Sequence, residues 1–175
     1  MKNLNLILAG VFGCVASVWV GLLVTAQVQL GSLGRAPAEE GGPLFPAREP
    51  GLAIQGRAVY LDLGCVACHT QQVRPAGQGS DIARGYGVRP SVARDYSQQK
   101  QVLLGDRRIG PDLANYGVRA KEVAAVHEAI KHHGAFEFLY AGDKKQVASE
   151  RAIALAAYLQ SLRQDYSSPE AKLKQ

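Results

Sequence analysis

Hydrophobic and polar positions divide the chain into stretches of different kind. Leu6 to Ala26 carries no charged residue. At the helical rise of about 1.5 Å per residue this run is about 30 Å long, the thickness of one bilayer hydrocarbon core. Gly31 to Pro50 is rich in Gly and Pro, follows neither the helical nor the strand period, and reads as a linker. Periodicity resumes at Gly51. A short helix is predicted from about Gly51 to Gly64, with Gly56 and Tyr60 four apart on one face. Arg119 to Lys131 has helical spacing, with Val123, Val126, His127 and Ile130 available for one face. Ser149 is placed to cap a last helix running to about Arg163, whose apolar stripe is Ala152, Leu155, Ala156, Leu159 and Leu162. The pattern predicts an all-α protein: an apolar anchor over 1–30, a linker over 31–50, a globular domain over 51–166 and a flexible tail over 167–175.

The apolar run bears on compartment. Lys2 and the amino terminus flank it on one side, so the positive-inside tendency keeps them cytoplasmic and exports everything after Leu30. Val24-Thr25-Ala26 resembles a small-residue cleavage site, which makes a cleaved signal peptide the rival reading. The run is longer than a signal's apolar region, and a retained single-pass anchor is expected. Ala9, Gly13, Ser17 and Gly21 recur every four residues, a stripe that lets another membrane helix approach closely. Ordinary small-residue content in a bilayer helix explains it equally well.

Charge changes the picture little. The chain of 175 residues has a net charge of +5. All of it sits between Arg57 and Lys121, where ten Lys or Arg face five Asp and no Glu. A basic stretch in an exported, membrane-tethered chain does not point to nucleic acid. No repeat, phosphate-binding glycine loop or serine-triad arrangement is present.

Cysteine changes it a great deal. Of three Cys, Cys14 lies in the apolar run and the other two form Cys65-Val66-Ala67-Cys68-His69. C-x-x-C-H is the attachment pattern of a c-type haem. Two thiols at this spacing reach the two vinyl groups of one porphyrin, and the next residue, His69, lies under the iron as an axial ligand. A zinc half-site would need further ligands at suitable spacing, and no second Cys pair follows. A thioredoxin-like motif would sit in a βαβ pattern, which is absent. One covalent haem c is therefore expected, and with no disulfide framework it is the one staple of a small core. Haem propionates are anions, and Arg is their natural bidentate partner; Arg74, Arg84, Arg89, Arg94, Arg107 and Arg108 cannot all serve them, and Arg74 and Arg108 are the candidates.

A longer series narrows the reading. Gly64-Cys65-Val66-Ala67-Cys68-His69-Thr70-Gln71-Gln72-Val73-Arg74-Pro75 is followed by Arg84-Gly85-Tyr86, by Ser91-Val92-Ala93-Arg94-Asp95-Tyr96, and by Leu104-Gly105-Asp106-Arg107-Arg108-Ile109-Gly110-Pro111-Asp112-Leu113-Ala114. This series resembles the mono-haem cytochrome c subunit (subunit II) of cbb3-type cytochrome c oxidases, over the anchor and roughly Gly56 to Arg119. The resemblance implies a class I cytochrome c-like domain in which the first and last helices cross, using Gly56, Tyr60 and the pair Tyr158-Leu159. It implies a Gly110–Leu113 turn that cradles the haem, with Pro111 positioning the Nδ1 hydrogen bond of His69. It also implies a function: relay of single electrons from a cytochrome c donor towards the b-type haem of a multi-span, oxygen-reducing subunit. The chain would carry no oxygen chemistry itself and would sit in the bacterial inner membrane with its haem domain on the periplasmic side. The cytochrome c subunit of a nitric oxide reductase has the same layout, but the segment from Val73 to Tyr96 argues against it.

The chain departs from that family at the sixth iron position, which the family fills with a methionine before the last helix. The single Met is Met1. The corresponding loop reads Lys131-His132-His133-Gly134-Ala135-Phe136-Glu137-Phe138-Leu139-Tyr140, and setting Ala135 to Leu139 against the family's apolar-aromatic segment puts His133 at the methionine position. His133 leads as internal ligand, then His132, then His127. An open iron or a ligand from a neighbouring subunit remains the alternative, and an open iron would suit a membrane-tethered gas or redox sensor.

Overall fold

The computed structural model describes residues 3–31 and 33–171. It comprises two compact units, one ending at Gly34 and one beginning at Arg35. Met1, Lys2 and the last four residues of the expected tail lie outside the described residues.

The first unit is one long helix in three parts. Helices α1 (Leu4–Trp19) and α2 (Thr25–Leu30) are joined without a break by a π-helical turn, Val20–Val24. At that turn the backbone N–H of Thr25 donates to Val20 O, and the Thr25 hydroxyl donates to the same oxygen at 3.2 Å. The most apolar 18 residues within Leu4–Gln29 have a mean hydropathy of 2.4, and the helix is long and apolar enough to cross a membrane. Ala9, Gly13, Ser17 and Gly21 are all exposed on it.

The second unit is mostly helical. The stretch expected to run as an irregular linker instead forms a small antiparallel ladder, β1 (Ala36–Pro37) with β2 (Leu44–Phe45). Arg35 closes it by donating to Pro46 O at 2.9 Å and Leu44 O at 2.8 Å. Phe45 stacks on Tyr166 with ring centres 4.5 Å apart. Hydrophobic periodicity missed this because the hairpin is held by one arginine and one aromatic contact rather than by an apolar face. The start of the expected tail is corrected in the same way: Ser168 is buried and Glu170 pairs with Arg94.

Helix α3 (Gly51–Asp62) crosses α6 (Glu150–Ser161), and this crossing organises the core. At the crossing a Cβ on Gly56 would overlap the carbonyl oxygen of Ala154 and press on the Tyr158 Cβ. Only a glycine lets the two backbones approach this closely. Tyr60 and Tyr158 pack beside the contact at 5.3 Å, both fully buried. Ser149 caps α6 through its hydroxyl, which accepts the Ala152 amide at 3.2 Å.

The helix predicted from Arg119 is broken. The short α4 (Tyr116–Arg119) stops at Ala120, and α5 (Val123–His132) starts afresh after the extended Glu122. The side chain of Gln160 donates to Ala120 O at 3.2 Å and Lys121 O at 3.0 Å, so α6 satisfies carbonyls that a continuous helix would have bonded itself. Val126 and Ile130 of α5 complete the core with Leu155 and Leu159. A second two-residue ladder, β3 (Tyr140–Ala141) with β4 (Val147–Ala148), leads into α6.

Candidate haem site

Helix α3 ends one turn before the cysteines. Gly64, at φ 70°, reverses the chain into a 3₁₀ turn, Cys65–Ala67. The amides of Cys68 and His69 both donate to Cys65 O, at 3.1 and 3.0 Å, so the pentad is a single tight loop. Cys65 is half-buried against the core and Cys68 is exposed. Burial pushes the Cys65 thiol up to about 11, so it is protonated at neutral pH.

A second loop wraps this one. The amide of Gln71 donates to Leu104 O, that of Asp106 to Val66 O, those of Ile109 and Gly110 to Cys68 O, and that of Leu113 to Thr70 O, all at 2.7–3.1 Å. The wrap brings Pro111 O to 2.8 Å from His69 Nδ1. A carbonyl oxygen only accepts, so Nδ1 carries the proton and Nε2 keeps its lone pair. This is the tautomer an iron ligand needs, and the second hydrogen bond fixes the ring's orientation and raises its donor strength. Gly110 lies flat against the same ring: a Cβ there would overlap His69 Cε1. The donor set and this cradle fit a haem bound through Cys65, Cys68 and His69. Among the described residues no group of three or more His, Cys, Asp and Glu side chains gathers as a metal cluster would, so a zinc site finds no further ligands.

Asp112 locks the wrap, a role the sequence reading missed. Fully buried, it accepts Thr70 Oγ1 at 2.7 Å, the Gln72 amide at 2.8 Å and the Ala114 amide at 2.9 Å. Its place after Pro111 in a turn is the one sequence signal for it. The neighbouring Leu113 is buried.

Arg74 and Arg108 were expected to face haem carboxylates. The carboxylates they face are the protein's own. Arg74 engages buried Asp81 through its guanidinium, at 3.0 and 3.2 Å, and through its backbone amide, at 2.8 Å. Arg108 pairs with Asp81 and with Asp112, at 3.2 Å to the latter, and donates to Thr70 Oγ1 at 2.7 Å. Burial alone would raise the Asp81 carboxyl, but the Arg74 and Arg108 hydrogen bonds outweigh it and hold the group well below the usual carboxylate range. The two arginines brace the segment leaving His69.

The three other histidines separate clearly. His127 Nδ1 lies 2.8 Å from the Tyr140 hydroxyl, and burial, with Lys131 adding to it, lowers its pKa. His132 is exposed and reaches back towards Glu128 at 3.8 Å. The ring of His133 faces that of His69, with centres 6.1 Å apart. A cavity of 730 Å³ opens elsewhere, between Phe45, Pro46 and the stretch from Leu162 to Tyr166, and none of the pentad lines it.

The crossed α3 and α6, with a C-x-x-C-H loop wrapped so that its histidine is held on a proline carbonyl, define a cytochrome c-like domain. Residues 49–131 match the family described as cytochrome c oxidase, mono-heme subunit/FixO, and that segment belongs to it. The match indicates the mono-haem cytochrome c subunit of a cbb3-type oxidase or of a related nitric oxide reductase. No curated protein matches the chain.

Proposed function

We propose that the protein is the non-catalytic electron-transfer subunit of a cbb3-type oxidase, taking single electrons from a cytochrome c donor and passing them towards the b-type haem of the oxygen-reducing subunit. Cys65 and Cys68 would hold one haem c through thioether bonds, with His69 Nε2 on the iron. When bound, the group supplies a one-electron ferric/ferrous couple. The residues of this chain supply its setting. The observation that carries the reading is the Nδ1–H of His69 donating to Pro111 O at 2.8 Å, with Gly110 packed on the ring. Asp112, Thr70 and Arg108 hold the wrap in place, so little has to move when charge changes. Cys68 and Ile109 are exposed beside the histidine and leave this edge at the surface, where an electron can enter or leave.

The helix Leu4–Gln29 anchors the chain in the bacterial inner membrane, with everything after Leu30 on the periplasmic side. The partners are the multi-span catalytic subunit and a soluble cytochrome c. The experiment is a Cys65→Ala/Cys68→Ala chain assembled with its partners. Haem stain on a denaturing gel should vanish from this subunit. Oxygen consumption driven by reduced cytochrome c should fall at least tenfold, while a small-molecule reductant that feeds the catalytic subunit directly still supports it. Covalent haem retained in the double variant, or unchanged cytochrome-driven consumption, overturns the proposal. A complex that consumes nitric oxide and not oxygen moves the subunit to the related reductase.

A further inference from the structure

We infer that His133 is the second axial ligand, so that the iron of this subunit sits between two imidazoles. The inference rests on the haem reading above and deepens it. A metal–imidazole bond is about 2 Å, so two imidazoles on opposite sides of one metal hold their ring centres about 6 Å apart. The centres of His69 and His133 are 6.1 Å apart, and no hydrogen bond joins the rings. Their planes meet at 52°, an angle that rotation about a shared axis leaves free. With Nδ1 of His69 committed to Pro111 O, its Nε2 is the nitrogen left for a metal.

His133 is also held in place. It terminates α5 at φ −83°, ψ 74°, outside the helical region. Its amide donates to Ile130 O at 3.1 Å and its carbonyl accepts the Phe136 amide at 2.8 Å. The Phe136 ring then stacks on its imidazole, with centres 4.7 Å apart. The other histidines are engaged elsewhere, His127 on Tyr140 and His132 out towards Glu128. The match to the mono-haem family covers residues 49–131, and His133 lies just beyond it. The only Met is Met1, ahead of the apolar helix.

A second imidazole in place of a thioether lowers the reduction potential and closes the iron to diatomic gases. That makes the subunit a relay rather than a sensor.

The test uses the full haem-loaded chain in detergent, with covalent haem confirmed first by its pyridine haemochrome. Reduced wild type under carbon monoxide should keep its Soret band unshifted. His133→Ala should bind carbon monoxide stoichiometrically with its haem content unchanged, and His132→Ala should behave as wild type. His133→Met should gain the weak far-red sulfur-to-iron band and a higher midpoint potential. Carbon monoxide binding by the wild type overturns the inference while leaving covalent haem intact, and so does a His133→Ala protein that stays closed to the gas. A wild type without covalent haem instead removes the reading on which it rests.

Discussion

Gly56 and Ala154 are in backbone contact: the space that a Cβ on Gly56 would need is filled by the carbonyl oxygen of Ala154. The contact sets how closely α3 and α6 cross, and therefore where α3 delivers the turn that carries Cys65. Gly56→Ala gains helix propensity on α3 but cannot fit without moving α6. Overpacking of this kind costs about 1–3 kcal/mol, more than the helix preference returns. Thermal unfolding of the haem-loaded chain should show a lower midpoint for Gly56→Ala and a larger drop for Gly56→Val.

Gly110 plays the corresponding part for His69. Gly110→Ala puts a methyl where the imidazole stands, so the ring must tilt off the Pro111 carbonyl. Losing the Nδ1 partner weakens the ligand and frees the tautomer. The expected result is less covalent haem per chain and, in the loaded fraction, a higher midpoint potential, because a weaker imidazole donor favours ferrous iron. An unchanged midpoint potential with full haem content would show that Gly110 does not position the histidine.

Much of this arrangement was legible in the sequence, and the limits are physical. The pentad fixed the haem reading because two thiols and an imidazole at that spacing have few other uses. The Ser149 cap was readable because caps demand particular residue types, and the crossing at Gly56 and Tyr60 followed from the family resemblance. Pairings across long sequence separations were not. Asp81 lies seven residues from Arg74 and twenty-seven from Arg108, and no periodicity links them. The hairpin near Phe45 depends on Tyr166, more than a hundred residues on. The break after Arg119 arises because Gln160 takes two carbonyls, which a local helical pattern cannot show.

Two ion pairs near the C-terminal segment should differ sharply in weight. Arg89 and Asp95 are both buried, paired at 2.8 and 2.9 Å, and Asp95 also accepts the Tyr166 hydroxyl and the Val92 amide. Asp95→Asn leaves the Arg89 charge buried without its counter-ion, a loss of about 3–5 kcal/mol. Arg94 and Glu170 pair nearer the surface, and Arg94 holds the Glu170 carboxyl down at about 2. Glu170→Gln should cost about 1 kcal/mol or less. Chemical denaturation of both variants decides the ranking, and equal losses would contradict it.

Asp81 should make the domain acid-sensitive. Burial opposes its ionisation, yet the Arg74 guanidinium and amide and the Arg108 guanidinium hold its carboxyl well below the ordinary value. The folded pKa is therefore lower than the unfolded one, which lies at about 3.9. Between the two the unfolded chain binds more protons than the folded chain, so stability rises with pH across that window. The contribution is fully present above about pH 4 and is lost as pH falls towards the folded value. Asp81→Asn removes the carboxylate that two arginines share, and should lower stability at neutral pH by about 3 kcal/mol. It should also flatten the fall in unfolding midpoint below about pH 4. Midpoints measured from pH 7 downwards test both parts, because a variant as acid-sensitive as wild type would place the titrating carboxylate elsewhere.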